Sequence, residues 1–414
     1  LEEYILENDL RLIYKHTDSE LSSICISLNA GAGAENEKFG VAHATEHMVY
    51  KGTKNRTERE INEELSSIFG FNNAMTNYPY VIYYGTLLGE DLQKGVEILS
   101  DIIINPEFGE NGFKEEMDVI KEELKEWDED VDQYCEDNLF FNCFNNRRIK
   151  YPIIGTFDDL ENITLDNIKE FYDKYYFPGN TSIVIISSVK FDIVKEVICN
   201  YFSEWKKNSV IQEEISKTDN KNLIEYENPQ KGTYNNVRDG IRACKVEMIF
   251  PIDDLSEKEI KALRIFNQYF GDGVNSILYD VLRTQNGLVY DVLTKISNEN
   301  YIKLYKITFS TSEENVNKAI SLIEGCIAKL DSLEKKLDND QIERLIKSFK
   351  LKRLFREEQS IILAKELATY DCMFGDYKIY INEIKEMELL TKEMIFQVGN
   401  KVLKNFTTQI IERA

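Results

Sequence analysis

The chain has 414 residues, too many for one hydrophobic core, and 43% of them are hydrophobic, enough to build two domains or more. Its 73 acidic and 50 basic residues give a formal net charge of −23, which argues against nucleic acid or an anionic membrane as a partner. Seven scattered cysteines without a C-x-x-C pair read as reduced thiols in a cytoplasmic setting, and neither a membrane-spanning apolar run nor a signal-peptide pattern is visible.

Alternating apolar residues predict strands over Tyr4–Tyr14 and Ser22–Leu28. The small, flexible run Ala30-Gly31-Ala32-Gly33 leads from them to His43-Ala44-Thr45-Glu46-His47, which holds two of the chain's three histidines. On a helix these positions share one face, so His43, Glu46 and His47 project into the same small volume. Two neutral imidazoles suit zinc, and a carboxylate between them can move protons; the bland alternative is a surface pair of histidines without a metal. The order is H-x-x-E-H rather than the commoner H-E-x-x-H.

Two strands are expected near residues 73–88, then a helix over Leu92–Ile103. From Phe113 to Val131, apolar residues at 113, 117, 120, 124, 127 and 131 form the buried stripe of one long helix. Glu123 is the candidate third ligand. At roughly 100° per residue, Glu116 and Glu123 fall on one line beside that stripe, half-desolvated, where a cation would compensate them. Glu115, Glu122 and Glu126 point further round and read as solvated charge. A helix over Leu165–Tyr175, a strand over Ser182–Ile186 and a helix over Phe191–Trp205 complete the first half.

Residues 207–235 are polar, rich in Lys, Asn and Glu, and include Pro229 and Gly232; they read as a linker. Beyond it the order repeats: strand Ala243–Phe250, helix Ser256–Phe270, strands Val289–Ile296 and Tyr301–Phe309, helices Glu314–Leu330, Asn339–Tyr370 and Thr391–Leu403, and strand Thr407–Ile411. The fold class expected is therefore α+β, as two tandem homologous domains (1–206 and 236–414), each a mainly antiparallel sheet packed with helices. The second copy has no histidine, so only the first can hold this type of metal site.

The run from Gly40 to Thr53 resembles the active-site segment of the pitrilysin/insulinase zinc peptidases. In that family the third ligand is a glutamate about 76 residues beyond the second histidine, and Glu123 stands 76 residues beyond His47. It lies in Asp118-Val119-Ile120-Lys121-Glu122-Glu123, similar to the family's "VVxEE" helix, and Glu116 matches a further family glutamate. The resemblance makes His43, His47 and Glu123 the ligands of one zinc per chain, Glu46 the catalytic base and Glu116 a supporting carboxylate. The departure is Ala44-Thr45, where the family usually carries larger apolar residues; neither side chain ligates.

Other segments carry the resemblance further. Asn73-Ala74-Met75-Thr76 with Val81-Ile82-Tyr83-Tyr84 resembles the family's "NAxT…YY" strands, which implies that the edge at Asn73 and Ala74 binds extended peptide. Tyr151–Thr156, Asn167–Tyr172, Tyr176–Asn180 and Ser182–Ile186 also look familiar. Ser276–Arg283 followed by Gly287-Leu288-Val289-Tyr290 is similar to "SRLxxxLRxxxGLxY", whose arginine and tyrosine hold the substrate backbone; Arg283 and Tyr290 occupy those positions.

What the resemblance implies is a zinc endopeptidase acting on peptides in an enclosed chamber made by two short subunits. A homodimer is the simplest form, and a heterodimer with a zinc-less homologous subunit the alternative. A non-catalytic peptide-binding subunit is the competing class.

Overall fold

Polar residues Glu7, Asn8 and Asp9 interrupt the first expected strand, and Asp9 takes a left-handed conformation (φ 73°) that turns the chain back on itself. The structure, a computed structural model, describes residues 1–206 and 226–414. Tyr4–Tyr14 is thus a hairpin of β1 (Glu2–Ile5) and β2 (Arg11–His16). With β3 (Leu21–Leu28), β4 (Phe69–Thr76), β5 (Val81–Leu88) and β6 (Thr181–Ser187) it makes a six-stranded sheet in the order β1-β2-β6-β3-β5-β4. Only the β2–β6 pair is parallel.

The second sheet has five strands, β7 (Gly232–Arg238), β8 (Cys244–Pro251), β9 (Val292–Glu299), β10 (Ile302–Thr311) and β11 (Thr407–Arg413), in the order β7-β11-β8-β10-β9. Its one parallel pair is β7–β11. With β1 set aside, both sheets place their strands first, fifth, second, fourth, third in chain order, with the parallel pair at the same place. Both halves are mainly antiparallel α+β, as expected from the repeated element order.

Contacts do not divide the chain at a single cut. One compact unit comprises Leu1–Lys125, the segment from Tyr151 and Arg356–Asn382; the other comprises Glu126–Lys150, Tyr226–Phe355 and Glu383–Ala414. The reason is an exchange of helices. Asp130 ends the acidic helix (Glu110–Glu129) and caps a new one over Val131–Cys143 by accepting from the backbone N–H of Asp132 and Gln133. That helix lies against β8 and β11 of the second sheet. Conversely, the expected helix Asn339–Tyr370 breaks at Glu358-Gln359, and its second part, Ser360–Phe374, covers the first sheet. Of the expected linker, residues 207–225 lie outside the described residues, and Gly232–Asn235 begin β7.

Burial follows from this. In β6, Val184 and Ile186 meet Leu363, Ala364 and Leu367 of helix Ser360–Phe374, while Ile183 and Ile185 are buried on the other side. A sheet covered on both faces needs a strand that is apolar throughout. In the second unit, Val246, Met248 and Phe250 of β8 join a large apolar core, whereas Lys245 and Glu247 are buried on the opposite face. There Lys245 pairs with Asp132 and Lys306 pairs with Glu136 of the exchanged helix. Among the described residues, no helix is long and apolar enough to cross a membrane.

Candidate metal centre

Helix α1 (Val41–Met48) is short and starts abruptly. Gly40 precedes it with φ 91°, and a Cβ there would lie 2.4 Å from the carbonyl oxygen of Ile154, so glycine is required. The buried Glu35 carboxylate accepts the N–H of Ala42 at 2.8 Å, placing negative charge at the helix start. His43, Glu46 and His47 then project from one face into the interior of the unit. Glu123 reaches them from the acidic helix Glu110–Glu129. Met117, Ile120 and Leu124 bury that helix, Glu116 is buried beside them, Glu123 is half-buried, and Glu115, Glu122 and Glu126 are exposed.

The three candidate ligands converge. Nε2 of His43 and Nε2 of His47 are 3.2 Å apart; the Glu123 carboxylate lies 3.6 Å from the first and 3.4 Å from the second. Bonds of about 2.0–2.1 Å around a tetrahedral ion put ligand atoms about 3.3 Å apart. The spacing therefore fits zinc with one coordination position left over. Burial, reinforced by nearby His47, pushes His43 down to about 3, so it is a neutral imidazole ready to ligate. Among the described residues, no other three His, Cys, Asp or Glu side chains converge in this way.

The surrounding shell orients the ligands. Oε1 of Glu116 lies 2.7 Å from Nδ1 of His47, leaving Nε2 to face the centre. Its Oε2 is 3.0 Å from Nζ of Lys51, which also donates to Glu58 at 2.8 Å. Burial alone would raise Glu116, but the hydrogen bonds from His47 and Lys51 outweigh it and hold the carboxylate low. His47 is the reverse case: burial would lower it, and the carboxylates of Glu116, Glu46 and Glu123 raise it.

Glu46 is buried, and burial raises its carboxyl above the ordinary range. Its Oε2 accepts a hydrogen bond of 2.6 Å from the hydroxyl of Thr76. Thr76 is the last residue of β4, the edge strand of the first sheet. Asn73 and Ala74 lie on the same strand; Asn73 is exposed and donates to the Tyr84 hydroxyl at 3.3 Å.

Arg283 and Tyr290 belong to the other unit, where they meet each other: the guanidinium stands 4.6 Å from the centre of the Tyr290 ring. Arg283 sits in a π-helical turn, Asp280–Gln285, a geometry frequent at functional sites. Tyr290 precedes β9, which starts at Val292 rather than Val289, and is 82% exposed. Sequence reasoning gave no role to Lys51 or Thr76, although both stand inside the segments that carry the resemblance. The signal for Lys51 was its place four residues after His47, just past the end of α1. For Thr76 there was none short of the fold.

Two family models match. Insulinase (Peptidase family M16) covers residues 11–157, which include His43, Glu46, His47, Glu116 and Glu123, and Peptidase M16 inactive domain covers residues 162–349. A Rickettsia felis protein described as an uncharacterized zinc protease is 26% identical over 397 residues, covering 94% of this chain and 92% of that protein. The beta subunit of the mitochondrial-processing peptidase of Caenorhabditis elegans is 29% identical over 202 residues, covering 49% of this chain and 44% of that protein. The crystal structure of a protease from Helicobacter pylori has the same fold, with a TM-score of 0.85 over 99% of both chains at 20% identity. On these matches the chain belongs to the insulinase family of peptidases, family M16, and has its two-domain α+β fold.

Proposed function

We propose that the chain is a zinc-dependent endopeptidase, with His43, His47 and Glu123 holding one zinc ion and Glu46 acting as general base. The observation that carries this reading is the convergence of two imidazoles and one carboxylate at tetrahedral spacing, with a buried carboxylate one residue from a ligand. A zinc ion there supplies positive charge that polarises the scissile carbonyl and makes water more acidic. Glu46 takes the proton of the attacking water on its carboxylate and returns it to the leaving amine nitrogen. Glu116 holds His47 in the tautomer that presents Nε2.

The substrate is a peptide or unfolded segment added as a strand to the edge of β4 at Asn73 and Ala74, with Arg283 and Tyr290 holding its backbone. Backbone pairing makes little demand on side chains, so length and accessibility matter more than sequence. An enclosed chamber formed by two subunits accounts for such a preference. A homodimer is the simplest arrangement; the likeness to a protein named as a beta subunit supports the alternative, a heterodimer with a zinc-less partner. Seven cysteines without a disulfide support a reducing, cytoplasmic setting.

The test is digestion of a peptide library followed by mass spectrometry, comparing the wild type with Glu46→Gln. Internal cleavage by the wild type alone is the expected result; equal cleavage by both would end the base assignment. Light scattering on the same sample separates the assemblies: an active dimer supports the homodimer, and an inactive monomer supports a missing partner.

A further inference from the structure

The hydroxyl of Thr76 is the side-chain donor that reaches Glu46 among the described residues, at 2.6 Å and with both groups buried. Thr76 is itself held firmly. It pairs with Val81 at the mouth of the β4–β5 hairpin, and the hairpin loop is clamped from outside. The N–H of Ala32 donates to the carbonyl of Asn77 at 2.9 Å, the N–H of Gly33 to that of Tyr78 at 2.7 Å, and the Tyr78 hydroxyl to the carbonyl of Tyr151 at 2.9 Å. A Cβ on Gly31 would meet three backbone atoms of this loop within 2.5 Å, so the clamp leaves no slack.

We propose that Thr76 is a positioning residue for the base: its hydroxyl pins Oε2 of Glu46 and so fixes the direction in which the carboxylate faces. This rests on the reading of Glu46 as general base. A glutamate side chain next to a cation site has two competing fates, to stay back as a base or to swing in as a further ligand. One fixed hydrogen bond to a carboxylate decides between them, because charged hydrogen bonds are both short and strong. Thr76 also stands three and two residues from Asn73 and Ala74 on one rigid strand. The strand that receives the peptide backbone therefore carries the group that aims the base, and substrate and base share a single frame.

The test compares wild type, Thr76→Val, Thr76→Ser and Glu46→Gln, each with kcat, KM and zinc affinity by chelator competition on the metal-free protein. Thr76→Val is nearly isosteric and removes only the hydroxyl. The expected result is a fall in kcat of about 10- to 100-fold, the effect of one lost hydrogen bond to a charged group. KM and zinc affinity stay near the wild-type values or, for zinc, tighten, and Thr76→Ser restores kcat. Should Thr76→Val fail to fold, Thr76→Ala takes its place with the same expectation. Unchanged kcat without the hydroxyl, or a loss that serine does not restore, would overturn the proposal. If instead Glu46→Gln remains as active as the wild type, it is the reading of the base that fails.

Discussion

Substituting Glu116 with glutamine keeps the shape of a side chain that stands between two donors and removes its charge. Oε1 faces Nδ1 of His47 at 2.7 Å and Oε2 faces Nζ of Lys51 at 3.0 Å, with both Glu116 and Lys51 side chains only 11% exposed. The amide oxygen can still accept from one of them. If it keeps His47, a hydrogen bond to a charged acceptor becomes one to a neutral acceptor, a loss of about 1 kcal/mol. The amide nitrogen then points at the Lys51 ammonium, donor against donor, in a poorly solvated place. Relieving that clash costs roughly as much again, through rotation of the amide or withdrawal of Lys51. At 1.4 kcal/mol per tenfold, the two effects weaken zinc binding by about 10- to 100-fold, the usual range for losing an outer-shell partner of a ligating histidine. The assay is equilibrium competition for zinc between the metal-free protein and a chelator of known affinity at neutral pH. Because part of the cost is the conflict with Lys51, adding Lys51→Met to Glu116→Gln should return some of the affinity, a coupling that a double-mutant cycle reads directly. Unaltered zinc affinity in folded Glu116→Gln would refute the reasoning.

Other substitutions test the remaining parts of the account. Glu46→Gln should keep its zinc yet lose turnover by about 10²- to 10⁴-fold, measured by metal analysis and peptide hydrolysis on one preparation. Arg283→Ala and Tyr290→Phe should each lower kcat/KM by about 10²-fold or more with zinc content unchanged; wild-type kinetics in both would leave these two side chains without the proposed role. Asp101, buried, accepts from Thr53, Asn55, Arg56 and Asn105 at 2.6–2.9 Å and so fastens the loop that follows α1. Burial alone would raise its carboxyl, but these donors outweigh it and hold it below the usual range. Its stabilisation is therefore complete above an ordinary aspartate value of about 3.9 and is lost as pH falls through the lower folded value. Thermal unfolding should show Asp101→Ala less stable by about 3–5 kcal/mol at pH 7, with the gap narrowing towards pH 3.

Much of the candidate site was legible because its signals are local. His43, Glu46 and His47 need only one turn of helix to come together. The helical period alone placed Glu123 beside the buried stripe of the acidic helix and sent Glu115, Glu122 and Glu126 to solvent, where they are found. The strand and helix repeat was legible for the same reason, and the two sheets do share one strand order. What the period cannot say is which sheet an apolar helix face meets. Helix Ser360–Phe374 is apolar on the side that covers β3, β5 and β6, but nothing in its sequence points back to those strands, which lie far earlier in the chain. Helix Val131–Cys143 was hidden further, because much of what it offers the second sheet is polar: Asp132 and Glu136 meet buried Lys245 and Lys306, and Asn142 meets Gln409 at 2.9 Å. The breaks at Glu7–Asp9, at Asp130 and at Glu358-Gln359 fall on polar residues that a solvated helix or strand face would also carry, so the period ran through them. Thr76 could not be linked to Glu46 without the hairpin that brings them together.

The most direct measurement is anomalous diffraction at the zinc absorption edge from crystals of the protein grown with zinc. The account requires one strong peak per chain, about 2.0–2.2 Å from Nε2 of His43, Nε2 of His47 and a carboxylate oxygen of Glu123. A peak that excludes Glu123, or none between the two histidines, would contradict it.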